Sequence, residues 1–335
     1  MPPMAPDTMQ AAIREAYGSP DVVEVREIER PVPIGDGVLV RVQAASVNRG
    51  DLDSILPKPG FLRLILGVRR PRNPRVGTDV AGIVEAVGPE VTRFKPGDRV
   101  FADLFSWQGS FAEFVVAPER AFLSIPEGIS TEVASTLPHS AVLAVQGLRR
   151  RDGSTFGPGA KVLIDGASGN VGPFAVQIAK ARGAEVTGVC SPAKVDFVRE
   201  LGADHVIDYR ELDYTKAAER YDWILAADSH YPLLRVRRAV KPGGLYQTLG
   251  GDGWTIAESL VIGPVASLAT GKRLGLMLHW KPFFADDVTT VTDLILAGLV
   301  VPRIDRRFPL AEVREALRYV DDGHARGKVV VSVGD

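Results

Sequence analysis

The stretch VLIDGASGNVGPFAVQIAKARGAEVTGVCSPAK, residues 162–194, passes from an apolar run through a glycine-rich turn into a helical pattern and back to an apolar run. Residues 162–165 predict a strand buried on both faces, because most are β-branched or bulky and apolar. The turn that follows needs backbone freedom and no side chain where a phosphate approaches the main chain. The helix after it directs free N–H groups and the positive end of its dipole at an anion.

This spacing predicts a dinucleotide-binding unit, although an ordinary tight strand–helix turn would also use glycine. The residues expected against the phosphates are Gly166, Ala167, Ser168, Gly169, Asn170, Val171 and Gly172.

The end of the second strand of this unit indicates which dinucleotide is bound. NAD-binding units usually carry an Asp or Glu there, which accepts hydrogen bonds from the ribose 2′-hydroxyl. Between Val186 and Lys194 the chain has no acid, whereas Ser191 can donate to a 2′-phosphate and Lys194 can pair with it. Tyr209, after the third strand, could add a phenolic donor. We therefore expect NADP(H); a solvated helix position would account for the lysine but not for the missing acid.

Outside this stretch, 335 residues are more than one core usually needs, and two domains are expected. Strands and helices alternate along the second half, which predicts a doubly wound parallel sheet. Its six candidate strands are 161–165, 185–189, 204–207, 221–227, 243–249 and 274–280. The first third predicts a β-rich domain from short β-branched or alternating runs separated by turn residues. Those runs are 37–48, 79–88, 98–105 and 109–118, with further helices at 131–148 and 285–298 and a last strand at 327–333.

Composition describes a globular protein with 45% hydrophobic residues and a formal net charge of -1. That charge gives no electrostatic attraction to nucleic acid, so we expect no nucleic-acid partner. No apolar run approaches the roughly 20 residues of a membrane span, and the N-terminus lacks the apolar core of a secretory signal, so a cytoplasmic protein with no membrane partner is expected. Cys190 is the single cysteine, which excludes an internal disulfide and a multi-cysteine metal site.

Ordered motifs extend the pattern over nearly the whole chain. They are AASVNRGD (44–51), GTDVAGIVEAVG (77–88), RFKPGDRVF (93–101), GSFAEFVVAP (109–118), LGADHVIDY (201–209), VKPGG (240–244) and HARGKVVVSV (324–333). With them the chain resembles the medium-chain dehydrogenase/reductase superfamily, in its zinc-independent quinone oxidoreductase and alkenal or enoyl reductase branch.

The resemblance implies a GroES-like β-barrel domain, which holds the substrate, and a Rossmann domain, which holds the nucleotide. We place the GroES-like domain at 1–131 and 284–335 and the Rossmann domain at 132–283. The resemblance also places Asn48 at the floor of the site, Gly250 and Gly251 close to the cofactor, and Lys328 near the closing strand as a further cofactor contact. Asn170 replaces a commoner glycine, and asparagine tolerates the left-handed backbone that the glycine would allow.

Zinc-dependent relatives hold their metal with Cys, His and Cys, and by motif position those ligands would fall near Asn48, at Thr78 and near Ser140. None of the three can supply a thiolate or an imidazole. We therefore expect no metal. Without a Lewis acid, hydride from NADPH goes most readily to the β-carbon of an activated C=C bond, because the charge then spreads into a carbonyl as an enolate.

The expected activity is NADPH-dependent reduction of an α,β-unsaturated carbonyl or a quinone, with an apolar small molecule as substrate. Candidate catalytic groups are Asn48 and, as proton donors or carbonyl-polarising groups, His139, His230 and Tyr231. Departures from the family at Leu143 and in the DSHY segment (228–231) leave open a fold turned to non-redox chemistry, such as dehydration or cyclisation. A non-catalytic NADPH-binding protein is also open. The apolar segment RLGLMLHW (273–280) would form an exposed sheet edge, so a homodimer that covers it is expected.

Overall fold

The computed structural model describes residues 8–57, 60, 63–227, 230–251 and 253–334. Asp228 and Ser229, which belong to the DSHY segment, lie outside the described residues. The chain divides into two units, one made of 1–139, 282–288 and 304–335 and the other of 140–281 and 289–303.

The first unit is built mainly from strands. Its elements before residue 139 are β1 (Thr8–Ile13), β2 (Glu24–Glu29), β3 (Gly37–Val47), α1 (Arg49–Ile55), α2 (Arg63–Leu66), β4 (Asp79–Val87), β5 (Arg99–Asp103), β6 (Phe114–Pro118), β7 (Leu123–Ser124) and α3 (Thr131–Ser135). The chain from 109 to 113, predicted as part of a strand, precedes β6 rather than belonging to it.

The second unit alternates strands with helices. Its elements are α4 (Ser140–Gly147), β8 (Lys161–Asp165), α5 (Gly172–Ala181), β9 (Glu185–Cys190), α6 (Val195–Glu200), β10 (His205–Asp208), β11 (Tyr221–Ala226), α7 (Leu233–Val236), β12 (Val240–Thr248), α8 (Gly253–Thr270) and β13 (Arg273–Leu276). All six predicted strands are present, and the last one ends at Leu276 rather than at residue 280.

After α9 (Ala285–Leu296), the chain completes the first unit with β14 (Ile304–Pro309), α10 (Val313–Asp321) and β15 (Lys328–Ser332). Strand β15 pairs with β14 on one side and antiparallel with β3 on the other, in a seven-stranded sheet of order β14-β15-β3-β4-β5-β7, with β6 also on β3. Alternate residues Val38, Val40 and Val42 of β3 are buried in its core with Val329 and Val331 of β15. Each such side chain contributes about 1.5–3 kcal/mol by leaving water, so the C-terminal strand is held in the N-terminal unit by its valines.

The six strands of the second unit are all parallel, in the order β10-β9-β8-β11-β12-β13. This is the doubly wound Rossmann order, which reverses direction between β8 and β11. Val162, Leu163 and Ile164 of β8 are fully buried, as their apolar run predicts. The α/β class, with a Rossmann sheet and a GroES-like β domain, is therefore confirmed.

The single helix predicted over 131–148 is wrong, because α3 ends at Ser135 and α4 begins at Ser140. Pro138 lies between them, and a proline removes a helical N–H and clashes with the preceding turn. The break also explains why the first unit extends to His139, whereas the sequence boundary lay at residue 131. Helix α3 packs on β3, β4 and β5 of the first unit.

Candidate functional site

Each of the three glycines in the 166–172 turn suits its position for a different structural reason. Gly166 adopts a φ of +79°, which side-chain-bearing residues rarely adopt. A Cβ on Gly172 would lie 2.3 Å from the Gly166 carbonyl oxygen, so the start of α5 can approach the strand end only with glycine there. A Cβ on Gly169 would meet nothing closer than 3.6 Å, which leaves the backbone at that point open to a ligand.

The neighbouring residues of the turn are held by main-chain contacts. The Ala167 N–H donates to the Val189 carbonyl at 2.9 Å, which ties the turn to β9, and Ser168 is buried. Positive φ outside glycine occurs in the described chain only at Gln108 and Phe283, so Asn170 does not need the left-handed backbone that we invoked for it. The turn and the N-terminus of the ten-residue α5 together fit the phosphates of a dinucleotide.

The ribose side of this unit is formed at the end of β9. Ser191 begins a short turn in which the Lys194 N–H donates to the Ser191 carbonyl at 3.0 Å. Tyr209 is 47% exposed, and its N–H donates to the Cys190 carbonyl at 3.3 Å. Burial raises the pKa of the Cys190 thiol to about 11, and the nearby Asp208 carboxylate adds to that rise. Sequence reasoning missed Asp208, an acid that β10 places in register with Cys190.

The carboxylate that ends β8 directly before the glycine turn, Asp165, is buried and accepts a hydrogen bond from the Tyr214 hydroxyl at 3.2 Å. Burial, followed by the Asp165 charge, raises the pKa of Tyr214 well above its usual value. Tyr231, one of the candidate proton donors, packs edge-on against Tyr214 with ring centroids 5.0 Å apart. His230 is exposed on the same unit.

The two glycines expected near the cofactor follow β12. The Thr248 hydroxyl donates to the Gly250 carbonyl, and Gly251 has a φ of +143°. Of the two, Gly251 therefore has a backbone conformation that favours glycine.

In the first unit, Asn48 and Lys328 form the centre of a buried polar cluster. Asn48 precedes α1, and Lys328 is the first residue of β15; both are 1% exposed. The Lys328 ammonium donates to Asn48 Oδ1 at 2.6 Å, and Asn48 Nδ2 donates to Thr78 Oγ1 at 3.3 Å. Lys328 Nζ also lies 3.5 Å from Asp79 Oδ2. Burial lowers the pKa of Lys328 from its usual value, which the Asp79 charge opposes.

His139 joins this cluster through two carboxylates. Its Nδ1 lies 3.0 Å from Asp103 Oδ2, and its backbone N–H donates to Asp79 Oδ1 at 3.1 Å. Asp103 is in turn fixed because its Oδ1 accepts the Phe105 N–H at 2.9 Å. Burial lowers the pKa of His139, but the charge and hydrogen bond of Asp103 outweigh it, so that pKa lies above its usual value. An imidazole held in this way by a carboxylate can carry and deliver a proton.

A further carboxyl, Asp51, is fully buried on α1. Its Oδ2 accepts the Asn48 N–H at 2.7 Å, and its Oδ1 has no hydrogen-bond partner. Burial raises the pKa of this carboxyl to about 7. Arg14, also buried, donates from Nη1 to Ser54 Oγ at 2.7 Å, and burial lowers its pKa.

These contacts show whether a metal could bind at the positions that hold zinc in the zinc-dependent relatives. Asn48 and Thr78 hydrogen-bond to each other through their side chains, and the Lys328 ammonium already donates to the side-chain oxygen of Asn48. Ser140 begins α4 in the other unit. Over the described residues, no group of three His, Cys, Asp or Glu side chains could hold a metal ion. The donor set therefore does not fit zinc.

The structure thus groups Asn48, His139 and Lys328 in the first unit, and all the other predicted site residues lie in the second. Sequence reasoning missed Asp79, Asp103 and Asp165, although each has a signal. Each is an acid at one terminus of an apolar strand, Asp79 at the start of β4 and the other two at the ends of β5 and β8, where a carboxylate is buried only with partners.

Comparison with known proteins covers 97–98% of the chain. Residues 35–127 match the family described as Alcohol dehydrogenase GroES-like domain, and residues 201–331 match the family described as Zinc-binding dehydrogenase. The chain is 33% identical over 361 residues to the NAD(P)H oxidoreductase RTN4IP1, mitochondrial, of Bos taurus, which covers 97% of this chain and 89% of the relative.

Two further comparisons involve quinone oxidoreductases. The Quinone-oxidoreductase QR1, chloroplastic, of Triphysaria versicolor is 31% identical over 338 residues, covering 98% of this chain and 99% of its own. The solved structure of the quinone oxidoreductase from Coxiella burnetii matches with a TM-score of 0.86 at 25% identity, covering 98% of this chain and 100% of that one.

Proposed function

Because the chain belongs to the quinone oxidoreductase-like branch of the medium-chain dehydrogenase/reductase superfamily, we propose that it is an NADPH-dependent, zinc-independent reductase of activated C=C bonds or quinones. Family membership makes it an oxidoreductase that uses a nicotinamide cofactor and a small-molecule substrate. Beyond that, we propose three points: the cofactor is NADPH rather than NADH, the acceptor is an enone or a quinone, and the reaction does not use zinc.

The observation that carries the proposal is the 2.6 Å contact between Lys328 Nζ and Asn48 Oδ1. A divalent cation beside a buried ammonium would meet strong repulsion in a region of low dielectric constant. Lys328 Nζ lies 3.5 Å from Asp79 Oδ2, and the Asp79 charge opposes the lowering of the Lys328 pKa by burial. This arrangement supports chemistry without a metal-bound alkoxide, which favours acceptors whose own carbonyl takes up the charge.

The reaction needs one hydride and one proton. Bound NADPH supplies the hydride from its reduced nicotinamide ring. That hydride would add to the β-carbon of the acceptor, the acceptor's carbonyl oxygen would take up the resulting charge, and a proton would complete the product. We assign that proton to His139, because the Asp103 carboxylate orients its imidazole and raises its pKa. His230 and Tyr231 are the alternative donors.

The activity is tested by following the absorbance of NADPH with a panel of enones and quinones. Consumption of one NADPH per substrate reduced supports the proposal. Conversion without NADPH consumption would favour dehydration or cyclisation, and tight NADPH binding without turnover would favour a non-catalytic protein. Full activity in protein shown by elemental analysis to be zinc-free is expected, and activity that requires stoichiometric zinc would refute the metal-free assignment.

The proton donor is tested with His139→Gln. General acids contribute about 10²–10⁴-fold, so kcat should fall at least about hundredfold while the Kd for NADPH stays unchanged. Asp103→Asn should shift the pH dependence of kcat to lower pH, because the imidazolium loses its carboxylate. His324→Gln, an exposed histidine of the same unit, is the matched control. An unchanged kcat in His139→Gln would transfer the role to another group.

The choice of NADPH is tested at Lys194. Lys194→Ala should weaken NADPH binding about tenfold or more, since a hydrogen bond to a charged group contributes about 1.5–3 kcal/mol. NADH binding should not change. Lys216→Ala, at an exposed lysine of the same unit, is the control. Equal losses for the two cofactors would contradict the assignment, and Asp208 would then favour NAD.

We also propose a homodimer. Over the described residues, β13 pairs with β12 alone, so its other side is an open sheet edge. On α8, Trp254, Val261, Val265 and Leu268 are exposed apolar residues at helical spacing, and Leu268 is 90% exposed. Such an apolar face beside a sheet edge is usually covered. Light scattering should give a dimer, and Val265→Glu with Leu268→Glu should give a folded monomer.

No helix in the described part of the chain is both long enough and apolar enough to cross a membrane. The cytoplasmic location predicted from the sequence stays a prediction, because the names of the curated relatives include mitochondrial and chloroplastic ones.

A further inference from the structure

A cavity of about 430 Å³ lies on the second unit, away from its glycine turn. It is lined by the chain after α4, by β12 and β13 and by the segment that follows β13. Its lining includes Arg150, Arg151, Arg273, Leu245 and Gln247. Ligand pockets for small organic molecules typically measure about 300–1,000 Å³, so the cavity has the size of a ligand site.

The position of the cavity in the sheet separates it from the nucleotide turn. Leu245 pairs with Arg273 and with Trp223, and Trp223 pairs with Val162 near the start of β8. The glycine turn follows the other end of β8. Leu274, next to Arg273, packs in the core beneath α8, so Arg273 points to the opposite face of the sheet from that helix. The cavity is therefore distinct both from the turn and from the apolar face of α8.

The charge of the cavity is positive and largely uncompensated. In the described part of the chain, no ion pair joins a carboxylate to Arg150, Arg151 or Arg273. The one acid in the lining, Asp152, accepts hydrogen bonds at its Oδ1 from both the N–H and the hydroxyl of Ser154. These bonds, followed by the attraction of Arg273 and Arg150, lower the pKa of Asp152. Three arginine side chains therefore line the cavity together with one carboxylate, Asp152, which is already hydrogen-bonded to Ser154.

Arg150 is held in place before any ligand arrives. Its guanidinium lies 5.5 Å from the centroid of the Trp223 ring, and its Nη2 donates to the Gly243 carbonyl at 3.3 Å. Trp223 is itself fixed by a hydrogen bond from Nε1 to the Gly147 carbonyl at 2.9 Å. The buried Nε of Arg150 has no acceptor.

We propose that this cavity binds a small organic anion with at least two negative charges, either a phosphate ester or a polycarboxylate. The guanidinium groups of Arg150, Arg151 and Arg273 take the anionic oxygens, because a guanidinium presents paired donors that match phosphate and carboxylate geometry. Leu245 offers an apolar contact to the carbon part of the ligand. The site does not depend on the reductase activity proposed above.

The test is calorimetric titration of the full chain with pyrophosphate and with citrate, at constant ionic strength and with NADPH saturating. One binding event per chain is expected, and a preference for one probe identifies phosphate or carboxylate as the ligand chemistry. Arg151→Gln and Arg273→Gln, both at exposed side chains, should each weaken binding about tenfold. Arg238→Gln, at an exposed arginine of the same unit outside the cavity, should leave it unchanged.

Two results would overturn the proposal. One is the absence of heat with both probes, and the other is equal affinity in the cavity variants and in the control. If the probe binds only when NADPH is left out, the anion competes for the glycine turn and the proposal is wrong. If NADPH itself does not bind, titration of the same variants without NADPH still shows whether the cavity binds the anion. Failure of the proposed function and failure of this site are therefore distinguishable.

Discussion

Replacing Asp51 by asparagine removes a buried carboxyl whose pKa is raised to about 7. Asparagine keeps an acceptor for the Asn48 N–H, which Asp51 Oδ2 binds at 2.7 Å. The charged groups that act on this carboxyl are Asp79, which raises its pKa, and His139 and Lys328, which lower it. Burial outweighs all three, so the substitution isolates the cost of burying one negative charge.

The sign follows from proton binding. An aspartate in the unfolded chain has a pKa of about 4, so between about pH 4 and pH 7 the folded state holds a proton that the unfolded state has lost. The stabilisation that this proton provides is fully present below about pH 4 and is lost as the pH rises through about 7. A pKa raised from about 4 to about 7 corresponds to about 4 kcal/mol. Asp51→Asn should lack this loss, so relative to the parent it should gain up to about 4 kcal/mol over that range.

The assay is urea unfolding of both proteins at intervals from about pH 4 to about pH 8, with the difference in unfolding free energy plotted against pH. Asp53→Asn is the matched control, since Asp53 lies on the same helix, is 35% exposed at its side chain and pairs with Arg49. The gain in stability as the pH rises should be larger for Asp51→Asn than for this more exposed control. A constant difference for Asp51→Asn, or one that falls as the pH rises, would refute the reasoning.

Three further outcomes are expected. Gly172→Ala should abolish NADPH binding, because the Cβ of the alanine would lie 2.3 Å from the Gly166 carbonyl oxygen, whereas Gly169→Ala should retain the fold. Calorimetry would compare NADPH binding by the two variants and circular dichroism would compare their folding; equal behaviour would contradict the geometry. Lys328→Met should cost about 3–5 kcal/mol in urea unfolding at neutral pH, because it removes the ammonium that lies 3.5 Å from the buried Asp79 carboxylate; a loss below about 1 kcal/mol would mean that the pair is not stabilising. Tyr214→Phe should lower stability by about 1–3 kcal/mol, since the carboxylate before the glycine turn loses a donor; an unchanged Tm would count against that bond.

Much of the fold was predictable because its signals are local. The apolar run at 162–164, the glycine turn and the alternation of strands with helices were enough for the parallel sheet, and all six of its strands are found. The antiparallel pair of β1 and β2 was not predicted, because β2 has no buried residue and the two strands are joined by the ten residues 14–23 rather than by a two-residue turn. The break between α3 and α4 was missed because the helical periodicity on both sides of Pro138 outweighed the proline in the prediction.

By itself, the sequence determined the fold class, the phosphate turn and the candidate residues, since these depend on periodicity and on neighbours in the chain. Only the tertiary structure decided what those residues contact. Lys328 was expected to meet the cofactor, which stays a prediction, and the structure adds that its ammonium donates to Asn48, which lies 280 residues away in the chain. His139 acquires its carboxylate from Asp103, on another element. Burial of such groups fixes their charge through partners that are distant in sequence, and no local pattern reveals which residues a folded sheet will bring together.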